Sequence, residues 1–323
     1  MNKTIPYIEI LKKSGKIVWR NRYLWWFGFF VALGSLSGTN YSYDLGKVNS
    51  PVSQQKIFDF ASQNIHWVAI GLIIFLILYL IFIILSVVGR GALIYSANQQ
   101  AEEKSASFKI GFKKGKAYFW KLFLIAFLLG LFMFSSIIIL AIPVIFLFYV
   151  KSYLIGVFMA ILAALIIIPL IILAVYVKIY AYLYTVLGQL AFWPAIENSY
   201  NLFRKNLASS LVMGLLFIPI NIFWGIVSIM AIVPITISFL VIGLVIFFIA
   251  GKIGAIIIAA VGIASIIILL LIIRSIYEAF AQTLWVLFFR EIARTNAKEA
   301  IVEPEPEFDS IAKPLPIIES EKE

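Results

Sequence analysis

A chain of 323 residues that is 63% hydrophobic and 13% charged, with a mean hydropathy of +1.03, has too much apolar surface for a water-soluble globule. The absence of cysteine excludes disulfides and thiolate chemistry, and a single histidine, His66, excludes mechanisms that need a histidine pair. The net charge of +10 comes from basic residues beside the apolar runs, where orientation in the membrane and anionic lipid explain it better than nucleic acid does. We therefore expect an integral membrane protein that binds no nucleic acid.

The N-terminal residues 1–22 are basic and amphipathic. On a helix, Tyr7, Leu11, Ser14 and Val18 share one face while the basic residues lie on the others, a pattern typical of a helix in the membrane interface. The first apolar run, 23–36, is short and ends in small residues that also resemble a signal-peptide cleavage region. We expect a retained span, with cleavage as the alternative.

Residues 38–64 are polar and predict an external loop, which is followed by a second span over about 67–88. A helix around 108–119 then carries phenylalanines on one face and lysines on the next, which predicts a second interfacial helix. The third span begins near Leu122 and the fourth ends near Val177. Lys151-Ser152 marks the outer turn between them.

The last block opens with a third amphipathic segment, which has Ile196, Tyr200 and Phe203 on one face. Residues 207–250 are apolar throughout, Gly251-Lys252 interrupts them, and a final span covers about 253–273. The segment 234–250 is predicted either as an enlarged, re-entrant outer hairpin or as a seventh span. Six spans are favoured, because a seventh would place the basic residues after the last span outside.

A short basic segment precedes each of the three apolar blocks. Lys12-Lys13-Ser14-Gly15-Lys16, Lys113-Lys114-Gly115-Lys116 and Phe203-Arg204-Lys205-Asn206 recur at intervals of roughly a hundred residues, and Arg90, Lys178 and Arg274 close the inward-going spans. The sequence thus predicts an all-α transmembrane bundle of about six spans in three hairpins, with cytoplasmic interfacial helices. It forms one domain, 1–300, with related units at about 5–100, 101–190 and 191–298. Residues 301–323, acidic and proline-containing, predict a disordered cytoplasmic tail.

Catalytic, metal and cofactor sites are not predicted. Glu102-Glu103 resembles the paired glutamates of intramembrane CAAX-type proteases, but the histidines that such enzymes need are missing. His66, beside Trp67, is interpreted as an interfacial residue. The polar side chains of the spans are expected to hydrogen-bond between helices, and Glu278 to pair with Arg274 on the next turn. The polar groups expected to bond between helices are Ser135, Ser136, Asn221, Thr236 and Ser238.

The basic segments are the best candidates for a functional surface. Each cation close to an anionic membrane contributes about 1 kcal/mol, so clustered lysines predict contact with lipid headgroups, although orientation in the membrane alone would also explain them. The candidate headgroup contacts are Lys12, Lys13, Lys16, Arg20, Lys109, Lys113, Lys114, Lys116, Arg204 and Lys205.

These segments resemble a group of bacterial polytopic proteins related to the membrane domain of glycerophosphodiester phosphodiesterases. Four stretches carry the resemblance: Trp19-Arg20-Asn21 with Trp25-Trp26-Phe27-Gly28, Phe112-Lys113-Lys114-Gly115-Lys116, Asn201-Leu202-Phe203-Arg204-Lys205-Asn206, and Thr283-Leu284-Trp285 with Phe289-Arg290-Glu291. In that family the chemistry belongs to a separate soluble domain with catalytic histidines and glutamates. The resemblance therefore implies a membrane module without an active site.

The expected function is non-enzymatic. We predict a module of the bacterial inner membrane, with both termini cytoplasmic, that binds anionic lipid, partner proteins or a second copy through its basic inner face. A transporter or channel component is the alternative, and an intramembrane enzyme is the third hypothesis.

Overall fold

The computed structural model describes residues 5–35 and 62–302, with side chains given through Gly34 and again from 62 to 294. The helices within these ranges are α1 (Tyr7–Arg20), α2 (Tyr23–Ser35), α3 (Ile65–Ala101), α4 (Phe108–Tyr149), α5 (Tyr153–Leu187), α6 (Phe192–Lys205) and α7 (Leu207–Val302). No strand occurs in this part of the chain. Four helices, α3, α4, α5 and α7, are long and apolar enough to cross a membrane. The predicted all-α membrane class is confirmed, and the architecture is compatible with a multi-pass protein.

Helices α2 and α3 run antiparallel and touch through small residues. A methyl group added to Gly34 would collide with Ser86, and one added to Gly89 would lie 2.9 Å from Phe30 Cβ. Ser86 Oγ also donates a hydrogen bond to the Val31 carbonyl, at 3.4 Å. Within the described residues α2 is only 13 residues long, so it accompanies α3 along part of its length.

Helix α4 runs without a break from the basic segment to the outer turn. Two predictions concern this helix. The predicted turn at Lys151-Ser152 is confirmed, since Lys151 has a left-handed φ of 58°. The predicted separation of an interfacial helix at 108–119 from the third span is wrong, because both belong to one helix. Gly115 lies where α4 contacts α3, since a methyl group added to it would collide with the Val88 carbonyl and lie 2.9 Å from Ala92 Cβ.

Helix α7 folds into two antiparallel arms that meet at Gly251, which has φ 68° and ψ −162°. Along the contact between the arms, residue numbers increase in one arm as they decrease in the other. A methyl group on Gly262 would lie 2.9 Å from Phe239 Cγ, and Tyr277 donates a 2.6 Å hydrogen bond to Asn221. The first arm stays helical through residue 250 and through Pro234. A re-entrant turn or a seventh span at 234–250 is therefore wrong.

The buried residues are concentrated at one end of the long helices. Residues 65–81 of α3 are all exposed, whereas residues 91–94 of the same helix are all buried. The other long helices follow the same pattern, and α1 and α6 lie at the buried end. We call residues 65–81, 130–172 and 222–272 the outer region, and residues 5–32, 86–126, 176–218 and 275–294 the inner region. The outer region buries only Gly156 and Gly262, both at contacts between paired helices.

Two predictions fall largely outside the described residues. Of the predicted external loop, 38–64, only residues 62–64 are described. Of the predicted tail, 301–323, only the end of α7 is described.

Candidate functional site

Helix α1 lies across the inner end of the bundle because one of its faces is apolar and the opposite one basic. Ile10, Ser14, Ile17 and Val18 are buried at the 3-to-4-residue spacing of a helix face. The helix is held on α7 by Tyr7, whose hydroxyl donates to the Ser209 carbonyl at 3.3 Å. The predicted amphipathic helix is confirmed, and its packing turns the lysines outward.

The basic face of α1 borders a groove with a volume of about 760 Å³. Its other wall comes from the end of α3, through Gln100 and the following Glu103. Glu103 reaches this position in a left-handed turn, with φ 58°. We call this the α1 groove; its lining residues are Glu9, Lys12, Lys13, Lys16, Ile17, Arg20, Asn21, Gln100 and Glu103.

The α1 groove gathers four of the ten predicted headgroup contacts: Lys12, Lys13, Lys16 and Arg20. Two carboxylates face them, so cations are in excess, and the amides of Asn21 and Gln100 add hydrogen-bond donors. Lysine ammonium groups and an arginine guanidinium are the groups that proteins use to bind phosphate. The arrangement suits a phosphate-bearing anion. Among the described side chains no cluster has the composition of a metal site.

The other predicted contacts lie outside the α1 groove. Lys109, Lys113, Lys114 and Lys116 are exposed on the first turns of α4, where the Lys114 ammonium lies 5.7 Å from the centre of the Tyr95 ring. Arg204 and Lys205 are exposed at the C-terminal end of α6. The basic residues of the first segment thus border one groove. The basic residues of the second and third segments lie outside that groove and are exposed.

A polar network beside the groove was missed by the sequence analysis. Arg290 on α7 donates to Asn98 at 2.6 Å and to Glu102 at 2.8 Å, and thereby links α7 to the end of α3. Lys104 makes a 2.6 Å ion pair with the other Glu102 oxygen. The hydrogen bond from Lys104, together with the positive charge of Arg290, holds the pKa of Glu102 below its ordinary value against the effect of burial. Glu102 is therefore part of an ion-pair network.

This network borders a second cavity of about 580 Å³, which shares Glu9 and Lys13 with the α1 groove. Arg294 and Glu291 also line it and pair with each other at 3.0 Å. Acids and bases alternate around this cavity, so its walls largely neutralise one another. The α1 groove is the more basic of the two.

The expectations for the polar groups of the spans had mixed outcomes. The Arg274–Glu278 pair is confirmed at 2.7 Å. Asn221 does bond to a residue of the other arm, Tyr277, as expected. The prediction is wrong for Ser136, Thr236 and Ser238, because each hydroxyl donates to the carbonyl four residues earlier in its own helix. Their donor–acceptor distances are 2.8, 3.0 and 2.8 Å.

Comparisons of the chain with known protein families, with curated proteins and with solved structures found no match.

Proposed function

We propose that this protein is a non-enzymatic module of the bacterial inner membrane that binds anionic lipid at a basic cytoplasmic face. The α1 groove carries the proposal. Four cations of one amphipathic helix border a single concave surface, and their apolar neighbours on the same helix are buried in the bundle. Lysines that served only to orient the chain would not need to share a groove.

The distribution of charge supports an orientation with the inner region on the cytoplasmic side. Among the described basic side chains, the outer region holds Lys151 and Lys252, Arg274 lies between the two regions, and the inner region holds the rest. Exposed tryptophans also occur in the inner region, at Trp19, Trp120 and Trp193, as expected for residues at a membrane interface. By the positive-inside rule both described chain ends are cytoplasmic.

Six spans in three hairpins are the arrangement that best fits this orientation. The pairs are α2 with α3, α4 with α5, and the two arms of α7. The antiparallel contacts of α2 with α3 and of the two arms support the first and third pairs, and the turn at Lys151 supports the second. From Trp120 to Tyr149, α4 covers about 43 Å at 1.5 Å per residue, close to the full thickness of a bilayer with its headgroups.

Transport is the less favoured function. A substrate path through the outer region would need polar groups directed into a shared passage. The hydroxyls of Ser136, Thr236 and Ser238 are instead bonded within their own helices. The concentration of charge at one end of the described structure favours binding at that end.

The test is native mass spectrometry of the protein released from lipid nanodiscs that contain phosphatidylglycerol and phosphatidylcholine. We expect wild-type protein to retain phosphatidylglycerol selectively. The triple variant Lys12→Gln, Lys13→Gln, Lys16→Gln should retain fewer phosphatidylglycerol molecules, because three of the four groove cations are gone.

The matched control is Lys113→Gln, Lys114→Gln, Lys116→Gln, which removes the same charge from α4, away from the groove. Retention should survive this change. If the two triple variants lose lipid equally, or if neither does, the groove has no special part in lipid binding and its lysines act as topology signals.

A further inference from the structure

A second basic feature lies deeper in the bundle than the α1 groove. Arg90 on α3 and Lys178 on α5 are both half-buried. Each lies on the core-facing side of its helix. Residues 93, 94 and 97, which follow Arg90 on its face, are buried, as are residues 181, 182 and 185, which follow Lys178. Two cations therefore point toward the packed interior from neighbouring helices.

The two cations interact electrostatically across a contact between their helices. Helices α3 and α5 are in contact, and the guanidinium of Arg90 is near enough to interact electrostatically with both Lys178 and Tyr182. The Lys178 ammonium lies 6.0 Å from the centre of the Tyr182 ring, whose side chain is only 4% exposed. Lys178 thus has both a buried aromatic ring and a like charge among its neighbours.

No carboxylate neutralises this pair within the described part of the chain. The ion pairs there involve Lys104, Arg274, Arg290 and Arg294. Burying like charges together without an acid is unfavourable, since each loses hydration and repels the other. The other cations of the inner region are mostly exposed or paired, so the lack of a counter-ion at Arg90 and Lys178 is unusual.

The depth of the pair suggests what neutralises it. Arg90 lies 23 residues after Trp67, and Lys178 lies 25 residues after Tyr153, so both are about 35–38 Å along their helices from exposed outer aromatic residues. The hydrocarbon core of a bilayer is roughly 30 Å thick. Both cations then lie just beyond its inner boundary, at the level of lipid phosphates.

We infer that Arg90 and Lys178 form a binding site for a single phosphate group, between α3 and α5 and separate from the α1 groove. The inference rests on the proposed inner orientation and extends the proposed lipid binding to a second site. The guanidinium presents paired donors to two phosphate oxygens, and the ammonium acts as a point charge. The phosphate comes from an inner-leaflet lipid or from a free anion, and the experiment separates the two.

The test measures thermal unfolding of delipidated protein in a non-ionic detergent. Short-chain phosphatidylglycerol, short-chain phosphatidylcholine and inorganic phosphate are added separately to wild type and to the variants Arg90→Gln and Lys178→Met. Phosphatidylglycerol should raise the Tm of wild type by several degrees and raise the Tm of both variants clearly less, because the variants keep only the α1 groove. Without lipid, Lys178→Met should be at least as stable as wild type, because the repulsion is removed.

Lys252→Met is the matched control, since it makes the same substitution at an exposed lysine of the outer region. It should keep the full response. The triple variant of Lys12, Lys13 and Lys16 should keep the part of the response that Arg90→Gln and Lys178→Met remove, so the two proposals fail separately. An equal rise with inorganic phosphate would identify a free anion as the ligand of the same site.

Two results would overturn the inference. One is a phosphatidylglycerol response that is equal in wild type, Arg90→Gln and Lys178→Met. The other is a Lys178→Met protein that is less stable than wild type without lipid and still responds fully, which would make the lysine a structural residue.

Discussion

The two regions of this protein differ in a way that inverts the usual relation between hydrophobicity and burial. The window of α3 with the highest hydropathy contains no buried residue, while the less apolar residues from Ser86 onward contribute to the core. In water the opposite would hold. The difference teaches that the outer region is solvated by lipid, so its apolar side chains need no protein partner, and that specific packing is concentrated in the inner region.

In the inner region, a hydrogen bond between hydroxyl groups joins two helices. In the outer region, hydroxyl groups donate to carbonyls of their own helices. Tyr180 and Ser210 share a 2.7 Å hydrogen bond in the core, between α5 and α7. Lipid offers no hydrophobic driving force for helix association, so close packing and such hydrogen bonds must supply it. Stability should therefore be distributed very unevenly between the two regions.

The largest expected effect is at Phe288, which is fully buried and packs on Tyr7 and Trp285. Phe288→Ala should lower the free energy of unfolding by about 3–5 kcal/mol, because it leaves a cavity. Phe134→Ala in the outer region, where the side chain is 62% exposed, should have almost no effect. Thermal unfolding in detergent, followed by tryptophan fluorescence, compares the two. Equal losses would show that the outer region is packed after all.

A smaller effect is expected from adding one methyl group. Gly28 touches the Ser275 carbonyl of α7 so closely that a side chain has no room, whereas Gly130 has open space around it. Gly28→Ala should cost about 1–3 kcal/mol by forcing the helices apart. Gly130→Ala should be neutral or slightly stabilising, since alanine favours helix. If both variants unfold at the wild-type temperature, the close contact between α2 and α7 is not maintained in the membrane.

The smallest expected effect is the pH dependence of the Glu102 network. The pKa of Glu102 is lower in the folded protein than in the unfolded chain, so its ion pairs contribute above the unfolded value of about 4.5 and are lost as pH falls through the folded pKa. Glu102→Gln should remove this part of the acid sensitivity, worth less than about 1 kcal/mol because the pairs are partly exposed.

Unfolding at pH 7 and pH 4 measures the Glu102 effect, with Glu197→Gln as the control at an exposed carboxylate. If the two variants lose the same stability between pH 7 and pH 4, other groups of the inner region cause that loss.

The sequence predicted the features that depend on local composition. Helical class, the interruption at Gly251 and the turn at Lys151 follow from apolar runs and the residues that break them. The Arg274–Glu278 pair follows from one turn of helix. The apolar face of α1 was also correct, because its spacing is regular over the whole segment.

The parts that were missed depend on contacts between distant segments. Asn98 and Arg290 are 192 positions apart, and no local pattern connects them. The proximity of Arg90 and Lys178 needs the packing of α3 on α5. The close contact of Gly115 with α3 was also missed, because nothing in the sequence shows that α3 lies against it. Four cations on α1 were predicted, but the groove they border also needs the end of α3.

The continuity of α4 has a mechanical consequence. A helix of 42 residues is about 63 Å long, and here it is a single rod that joins the exposed lysines at its inner end to the outer turn. Helices α1 and α6, by contrast, are short, and each ends at a non-helical residue, Asn21 or Asn206, before the next helix begins. A tilt of about 10° at the inner end of α4 would carry its outer end by about 11 Å. A displacement at the inner end of α4 would therefore reach its outer end through one continuous helix.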